Sequence, residues 1–118
     1  MIRKLALFST IIFMSCAVHK KLQGAKELPS CFETKIKTMS ANLREGVPQS
    51  ITRYRYKGQP VYYMLSSCCD NYNIVFDSDC NILGFPDGGY TGRGDGKMPD
   101  FHKEAVKDKI VWESNQVK

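Results

Sequence analysis

The chain has 118 residues, of which 42% are hydrophobic and 11% aromatic, so it has room for one globular domain and is too apolar to be disordered. Its formal net charge is +5, and it falls to +3 once Arg3 and Lys4 are removed with a segment that we expect to be cleaved. The remaining basic residues are scattered along the sequence, whereas nucleic-acid binding needs a clustered basic face. Nucleic acid is therefore excluded as a partner.

Residues 1–15 are typical of a secretory signal peptide. Arg3 and Lys4 supply the positive start, and an apolar run then extends from Leu5 to Ser15. This run is too short to cross a bilayer, which takes about 20 residues. We therefore expect the chain to be exported and the segment to be removed.

The end of the signal peptide is compatible with two cleavage sites. In the first, Ser15 precedes a lipidated Cys16 that becomes the mature N-terminus, as in a bacterial lipobox. In the second, cleavage follows Ala17, and the product is a soluble periplasmic or secreted protein. We favour the first, which predicts a membrane-anchored lipoprotein of a bacterial envelope with residues 16–29 as a polar tether.

The first element of the mature chain is a predicted helix over residues 31–45. Ser30 and Glu33 have the spacing of a capping box, in which each side chain accepts a backbone amide at the start of a helix. Gly46 and Pro48 are suited to end it. One apolar stripe runs along the helix, formed by Phe32, Ile36, Met39 and Leu43.

Segments rich in β-branched and aromatic residues predict two hairpins, formed by strands 51–56 and 61–65 and by strands 73–76 and 82–85. A short final strand is predicted over 109–113. The fold class is therefore α+β, with one N-terminal helix packed on a small antiparallel sheet, a Gly-rich loop and a C-terminal strand. The domain covers residues 30–113, and 114–118 form a tail. The strand tyrosines are expected on both faces of the sheet, at positions 54, 56, 62 and 63.

Four cysteines remain after Cys16, and in an exported domain they predict disulfides. Strand parity places Cys69 on the side of the helix, which favours the pairs Cys31–Cys69 and Cys68–Cys80. A metal site is not predicted, because the chain has no C-x-x-C motif and has only two histidines. A cysteine nucleophile with His102 as its base has no local signature either.

Two acidic segments raise the question of ion binding. Asp77-x-Asp79-x-Asn81 matches the opening of an EF-hand loop, but Ile82 and Gly88 occupy the positions of its required glycine and glutamate. We interpret these residues as a hairpin turn.

The second acidic segment is the Gly-rich loop, since six of the nine glycines lie between residues 84 and 96. Its candidate site residues are Asp87, Arg93, Asp95 and Asp100. We favour carboxylates that accept amides of the loop itself over carboxylates that converge on calcium, so no metal or cofactor is predicted. An anion nest of loop amides and an integrin-type Arg-Gly-Asp tripeptide are further alternatives.

Five segments of the sequence form a distinctive combination: Cys31 with Lys35-Ile36, Tyr56-Lys57-Gly58, Val61-Tyr62-Tyr63, Cys68-Cys69-Asp70 and PDGGYTGRGDGKMPDF at 86–101. Together they resemble a family of small exported proteins of Bacteroidota, many of them lipoproteins, with no assigned activity. The resemblance covers about residues 30–113. It implies cysteines in relatives at the positions of Gly84 and Met98, and it places Cys80 at a turn position more usual for glycine.

No group of residues meets the requirements of a catalytic site, so the sequence favours a non-enzymatic domain that binds a partner or ligand. Its membrane contact would be the lipid anchor, and the loop over residues 86–101 would be the recognition surface. The alternative is a hydrolase-like enzyme that uses Asp87, Asp95 or Asp100 as acid or base.

Overall fold

The structure is a computed structural model, and it describes residues 27–42, 46–68 and 70–115. Along the chain, the elements are α1 (Cys31–Ala41), β1 (Ser50–Tyr56), β2 (Gln59–Leu65), β3 (Tyr72–Phe76), β4 (Ile82–Gly88), α2 (Phe101–Glu104) and β5 (Val106–Glu113). The strands form one antiparallel sheet in the order β4-β3-β2-β1-β5, which confirms the α+β class and both hairpins.

The predicted signal peptide, the lipidation of Cys16 and most of the tether fall outside the described residues. Within the described residues, no helix is both long enough and apolar enough to cross a membrane.

The sheet has an apolar core on each face, because successive strand residues point to opposite sides. On the face covered by α1, here the helix face, the buried cluster consists of Phe32, Ile51, Tyr62, Met64, Phe76 and Cys80. The opposite face, here the loop face, is covered by the chain around α2, and its cluster consists of Tyr56, Val61, Val75, Met98 and Phe101. The predicted distribution of tyrosines over both faces is confirmed, since Tyr54 and Tyr63 also pack on the loop face.

The stripe of α1 is confirmed where it is described: Phe32 is buried, and Ile36 and Met39 pack against the same cluster. The capping box is wrong. Ser30 itself has helical backbone angles and makes no side-chain cap hydrogen bond, because its carbonyl already accepts the amide of Glu33 at 3.1 Å.

The predicted end of α1 at residue 45 is also wrong. The helix ends at Ala41, because Asn42 is extended. Gly46 does have the expected positive φ of 68°.

One disulfide joins Cys31, in the first turn of α1, to Cys80, in the turn between β3 and β4. The predicted pairs Cys31–Cys69 and Cys68–Cys80 are therefore wrong. The parity argument had placed Cys69 on the helix side together with Val61 and Tyr63, but these two residues lie on the loop face. In addition, α1 begins above the β3–β4 turn, where Cys80 takes the positive φ of 62° expected for a glycine position. Cys68 is exposed and also disulfide-bonded, and Cys69 lies outside the described residues.

The Asp77 segment is a turn, as predicted. One carboxylate oxygen of Asp77 accepts the backbone amides of Asp79 and Asn81, both at 2.9 Å. These hydrogen bonds, chiefly the one from Asn81, lower the pKa of Asp77. The carboxylate is thus used to close the hairpin.

The C-terminal region departs most from the prediction, since α2 was not expected and β5 begins at Val106 rather than at residue 109. β5 is an outer strand that pairs with β1 alone, and its first five residues are exposed. An ion pair between Arg53 and Asp108 at 2.6 Å joins the two strands. A strand of this kind lacks the alternation of apolar and polar residues by which strands are recognised in a sequence.

Candidate functional site

The Gly-rich loop after β4 folds back against the outer edge of that strand. The amide of Asp95 donates to the carbonyl of Phe85 at 3.0 Å, and the amide of Gly94 donates to that of Gly88 at 3.1 Å. Gly94 has a φ of 69°, and a Cβ atom there would overlap the Phe85 carbonyl. Glycine is therefore required at this position for the loop to reach the strand.

Asp95 stabilises this arrangement from inside the loop. Its Oδ1 accepts the amide of Lys97 at 3.0 Å and that of Phe85 at 3.4 Å. The structure thus agrees with the expectation that this carboxylate accepts loop amides. Arg93 is exposed, whereas Asp95 is turned towards β4, so the Arg-Gly-Asp tripeptide does not present both charged groups outwards.

Asp87, in β4, is the centre of a polar cluster on the loop face. Both of its oxygens accept the hydroxyl of Tyr63 at 3.0 Å, and Oδ1 also accepts the side-chain amide of Asn73 at 2.6 Å. Oδ2 is hydrogen-bonded to Nε2 of His102. Three donors, from β2, β3 and α2, therefore share a carboxylate that offers about four lone-pair positions.

The electrostatics of the Asp87 cluster follow from this burial. Asp87 has a side-chain exposure of 22%. Burial, then the charge of Asp87 and the hydrogen bond to it, raise the pKa of Tyr63 well above its usual value of 10. Tyr63 is thus held as a neutral donor. The side chain of His102 is 58% exposed, and its contact with Asp87 fixes the orientation of the ring.

Asp100 lies at a separate position, next to the β1–β2 turn. It accepts the hydroxyl of Tyr56 at 2.6 Å and pairs with Lys57 at 3.5 Å. The hydrogen bond to Tyr56 is the main cause of the lowered pKa of Asp100, and it raises the pKa of Tyr56. The contact fixes the segment around α2 to the sheet.

Asp87, Asp95 and Asp100 do not form one site. Each carboxylate accepts hydrogen bonds from a different set of donors, and none of the described donors is shared between them. Among the described residues, no group of three or more His, Cys, Asp or Glu side chains has the arrangement of a metal site.

The tip of the loop remains open to solvent. Tyr90 is 93% exposed, and Thr91, Gly92 and Arg93 are exposed beside it. The amide of Gly92 donates to the carbonyl of Gly89 at 3.2 Å, and that of Gly89 to Asn71 at 3.2 Å. The tip is thus an ordered turn with an aromatic and a basic side chain on its surface.

A family model described as a domain of unknown function, DUF6970, matches residues 37–114. The chain belongs to this family. The match begins within α1 and includes all five strands, so the Asp87 cluster and the Gly-rich loop both belong to the DUF6970 domain. No curated protein and no solved structure matches the chain.

The resemblance had implied a cysteine pair at the positions of Gly84 and Met98 in relatives. In this DUF6970 domain the two positions are in contact, since a Cβ atom on Gly84 would lie 2.8 Å from Cγ of Met98. The place where relatives were expected to carry a bridge is filled here by the Met98 side chain, which is buried.

Sequence reasoning missed the partners of Asp87 in the DUF6970 domain. In the sequence, Tyr63 is predicted to pack on the sheet and Asn73 to begin a strand, and His102 is considered only as the base of a cysteine nucleophile, so none of the three is linked to Asp87. The parity of the hairpin strands was the available signal, because it places Tyr63 and Asn73 on the face to which Asp87 points.

Proposed function

We propose that this protein is an exported, lipid-anchored binding domain whose recognition surface is the tip of the Gly-rich loop, residues 90–93. The observation that carries the proposal is the exposure of Tyr90, at 93%, on a loop whose flanks are fixed to the sheet. Tyr and Arg are enriched among residues that dominate binding energy, and Arg93 lies three residues from Tyr90.

The order of the loop supports binding because a surface that is already in its bound shape loses less conformational entropy on association. Asp95 and Gly94 attach the C-terminal side of the tip to β4, and Gly89 attaches the N-terminal side to Asn71. The binding side chains are thus presented on a fixed backbone.

Export is supported by the sequence of residues 1–15 and by the Cys31–Cys80 disulfide, and lipidation is supported by the Ser15-Cys16 pair that follows the apolar run. Disulfides persist in oxidising compartments and are rare in the cytoplasm. The lipid on Cys16 would hold the domain at a membrane, so the partner of the loop would be a molecule of the envelope or cell surface.

The test is site-specific photo-crosslinking in the native cell, with the crosslinking residue in place of Tyr90. We expect discrete adducts from this position and their loss when Arg93→Ala is added. The matched control places the same residue at Val106, which is also exposed, at 66%, but lies on β5. The same adducts from both positions, or none from position 90, would contradict the proposal.

A second candidate, acid–base catalysis, is favoured by the pairing of Asp87 with His102, because an exposed imidazole that a carboxylate orients is a recurrent general base. A hydrolase substrate panel tests it. Activity that is lost in His102→Gln and retained in Asp95→Ala would replace the binding proposal.

A further inference from the structure

The helix face carries a groove that none of the features above uses. It lies between α1 and strands β3 and β4 and has a volume of about 830 Å³. It exists because α1 meets the sheet mainly through Phe32, whose ring packs on those of Tyr62 and Phe76, and leaves part of the β3 and β4 side uncovered. A volume of this size is within the range of small-molecule sites.

The sheet side of the groove is apolar and accessible. It is lined by Tyr72, Ile74, Phe76, Ile82 and Phe85. Ile82 is 53% exposed and Tyr72 is 45% exposed, and the ring of Tyr72 packs on that of Phe85 at 5.0 Å. Large apolar side chains that line one concave surface and remain exposed indicate a surface that another molecule covers.

The helix side supplies one positive charge. Nζ of Lys35 lies 5.1 Å from the centre of the Phe76 ring, so the ammonium group is held over the apolar wall. In the part of the chain that the structure describes, no carboxylate pairs with Lys35. The apolar wall of β3 and β4 and the ammonium group of Lys35 together fit a molecule with an apolar body and an anionic head.

We infer that the groove binds a single-chain amphiphile with a carboxylate head, of the fatty-acid class. The acyl chain would lie along the wall of β3 and β4, and the carboxylate would pair with Lys35. Thr34, which also lines the groove, offers a hydroxyl group on the same side of α1, whereas the hydroxyl of Thr38 already donates to the carbonyl of Thr34 at 3.0 Å.

A peptide fits the groove less well, whether extended or helical. An extended peptide would have to pair with the outer edge of β4. There, the amides of Gly94 and Asp95 already donate hydrogen bonds to the carbonyls of Gly88 and Phe85. A helix with its side chains is about 10 to 12 Å wide, so two turns would fill roughly 850 to 1,200 Å³, more than the groove contains.

The experiment is calorimetric titration of the mature domain with dodecanoate below its micellar concentration. We expect saturable binding that tightens with chain length across octanoate, decanoate and dodecanoate, by up to about fourfold for each added methylene. Lys35→Gln should weaken dodecanoate binding by roughly three- to tenfold and leave dodecanol binding unchanged. Lys37→Gln, on the same helix but outside the groove, is the control and should have no effect.

Two further variants separate the wall from the head group. Ile82→Glu should abolish binding of both dodecanoate and dodecanol, whereas Ile110→Glu, an exposed isoleucine of β5 outside the groove, should not. Asp79→Asn removes the acidic side chain that lines the groove and should tighten dodecanoate binding. Equal affinities of Lys35→Gln and Lys37→Gln, or binding that does not depend on chain length, would overturn the proposal. A wild-type dimer that Ile82→Glu converts to a monomer would instead assign the groove to a second copy of the chain.

Discussion

At the residue scale, the carboxylate of Asp87 joins β2, β3 and α2 to β4 through Tyr63, Asn73 and His102. Asp87→Asn keeps the shape of the side chain but replaces an accepting oxygen with a donating nitrogen, so at least one donor loses its partner. We expect the free energy of unfolding to fall by about 1 to 3 kcal/mol in urea denaturation.

The control for this variant is Asp79→Asn on the exposed β3–β4 turn, which should change the free energy of unfolding by less than about 0.5 kcal/mol. A loss of the same size in both variants would show that the contacts of Asp87 add nothing to stability.

Tyr63 makes the stability of the domain depend on alkaline pH. Its pKa in the folded state is raised above 10, so above pH 10 the folded protein keeps a proton that the unfolded chain releases. The contribution of Tyr63 to the free energy of unfolding is complete below pH 10, and it is lost as the pH rises through the folded-state pKa of this residue. In denaturation curves from pH 9 to 12, the wild type should therefore lose stability more steeply than Tyr63→Phe.

Tyr90→Phe is the matched control for this titration, because it removes a phenol that has no described partner. Parallel pH dependence of the wild type and Tyr63→Phe would argue against the role assigned to Asp87 and burial.

How far single contacts can be predicted from the sequence depends on their range. The hydrogen bond from the Lys97 amide to the Asp95 carboxylate spans two residues, and an aspartate between glycines is enough to predict it. The bonds of Asp87 span 24 residues to Tyr63 and 14 to Asn73. Such partners are set by the register of the strands, which the sequence of the loop does not contain.

At the scale of elements, the two hairpins were predictable because their strands are rich in aromatic and β-branched residues and are separated by turn residues. The start of β5 was not, because Lys107, Asp108 and Lys109 resemble a loop until they are paired with β1. The disulfide was mispredicted for a related reason. Parity along one strand does not show where α1 crosses the sheet, and that crossing decides which cysteine faces Cys31.

The Cys31–Cys80 bridge closes a separation of 49 residues, for which loop entropy gives a stabilisation of about 4 kcal/mol. Replacing both cysteines by serine should lower the free energy of unfolding by about this amount, since α1 is then held by packing alone. Cys31→Ser with Cys80→Gly should recover about 1 kcal/mol, because glycine takes the positive φ of position 80 without strain.

Urea denaturation without reductant compares these variants with the wild type. A double-serine variant as stable as the wild type would mean that the bridge does not hold α1, and a glycine variant weaker than the serine one would mean that position 80 is not strained.

At the scale of the whole molecule, one sheet separates two surfaces with different coverings. On the helix face, α1 leaves an apolar groove, and on the loop face, the segment from Met98 to Ala105 covers the sheet. The two proposed sites share no residues. Arg93→Ala should therefore leave dodecanoate binding unchanged, and Lys35→Gln should leave the adducts from position 90 unchanged.

The proposed lipid anchor belongs to this scale as well, since it would decide where both surfaces act. Cys16→Ser removes the proposed acylation site and should move the protein from the membrane fraction to the soluble fraction on centrifugation of lysed cells. Ala17→Ser is the control and should remain with the membranes. A wild-type protein that is already soluble and begins at Val18 would show that the second cleavage site is used.

The contact of the loop with β4 also bears on self-association. Outer strands with free polar backbone groups act as templates for fibres, and this sheet limits both of them: Gly94 and Asp95 occupy part of the β4 edge, and Lys107 and Lys109 place charge on β5. A methyl group at position 94 would force the loop off the Phe85 carbonyl. Gly94→Ala should therefore form thioflavin-positive fibres at concentrations where the wild type stays dispersed. If the proposed anchor crowds the protein on a membrane, this one missing side chain would be what keeps its copies separate.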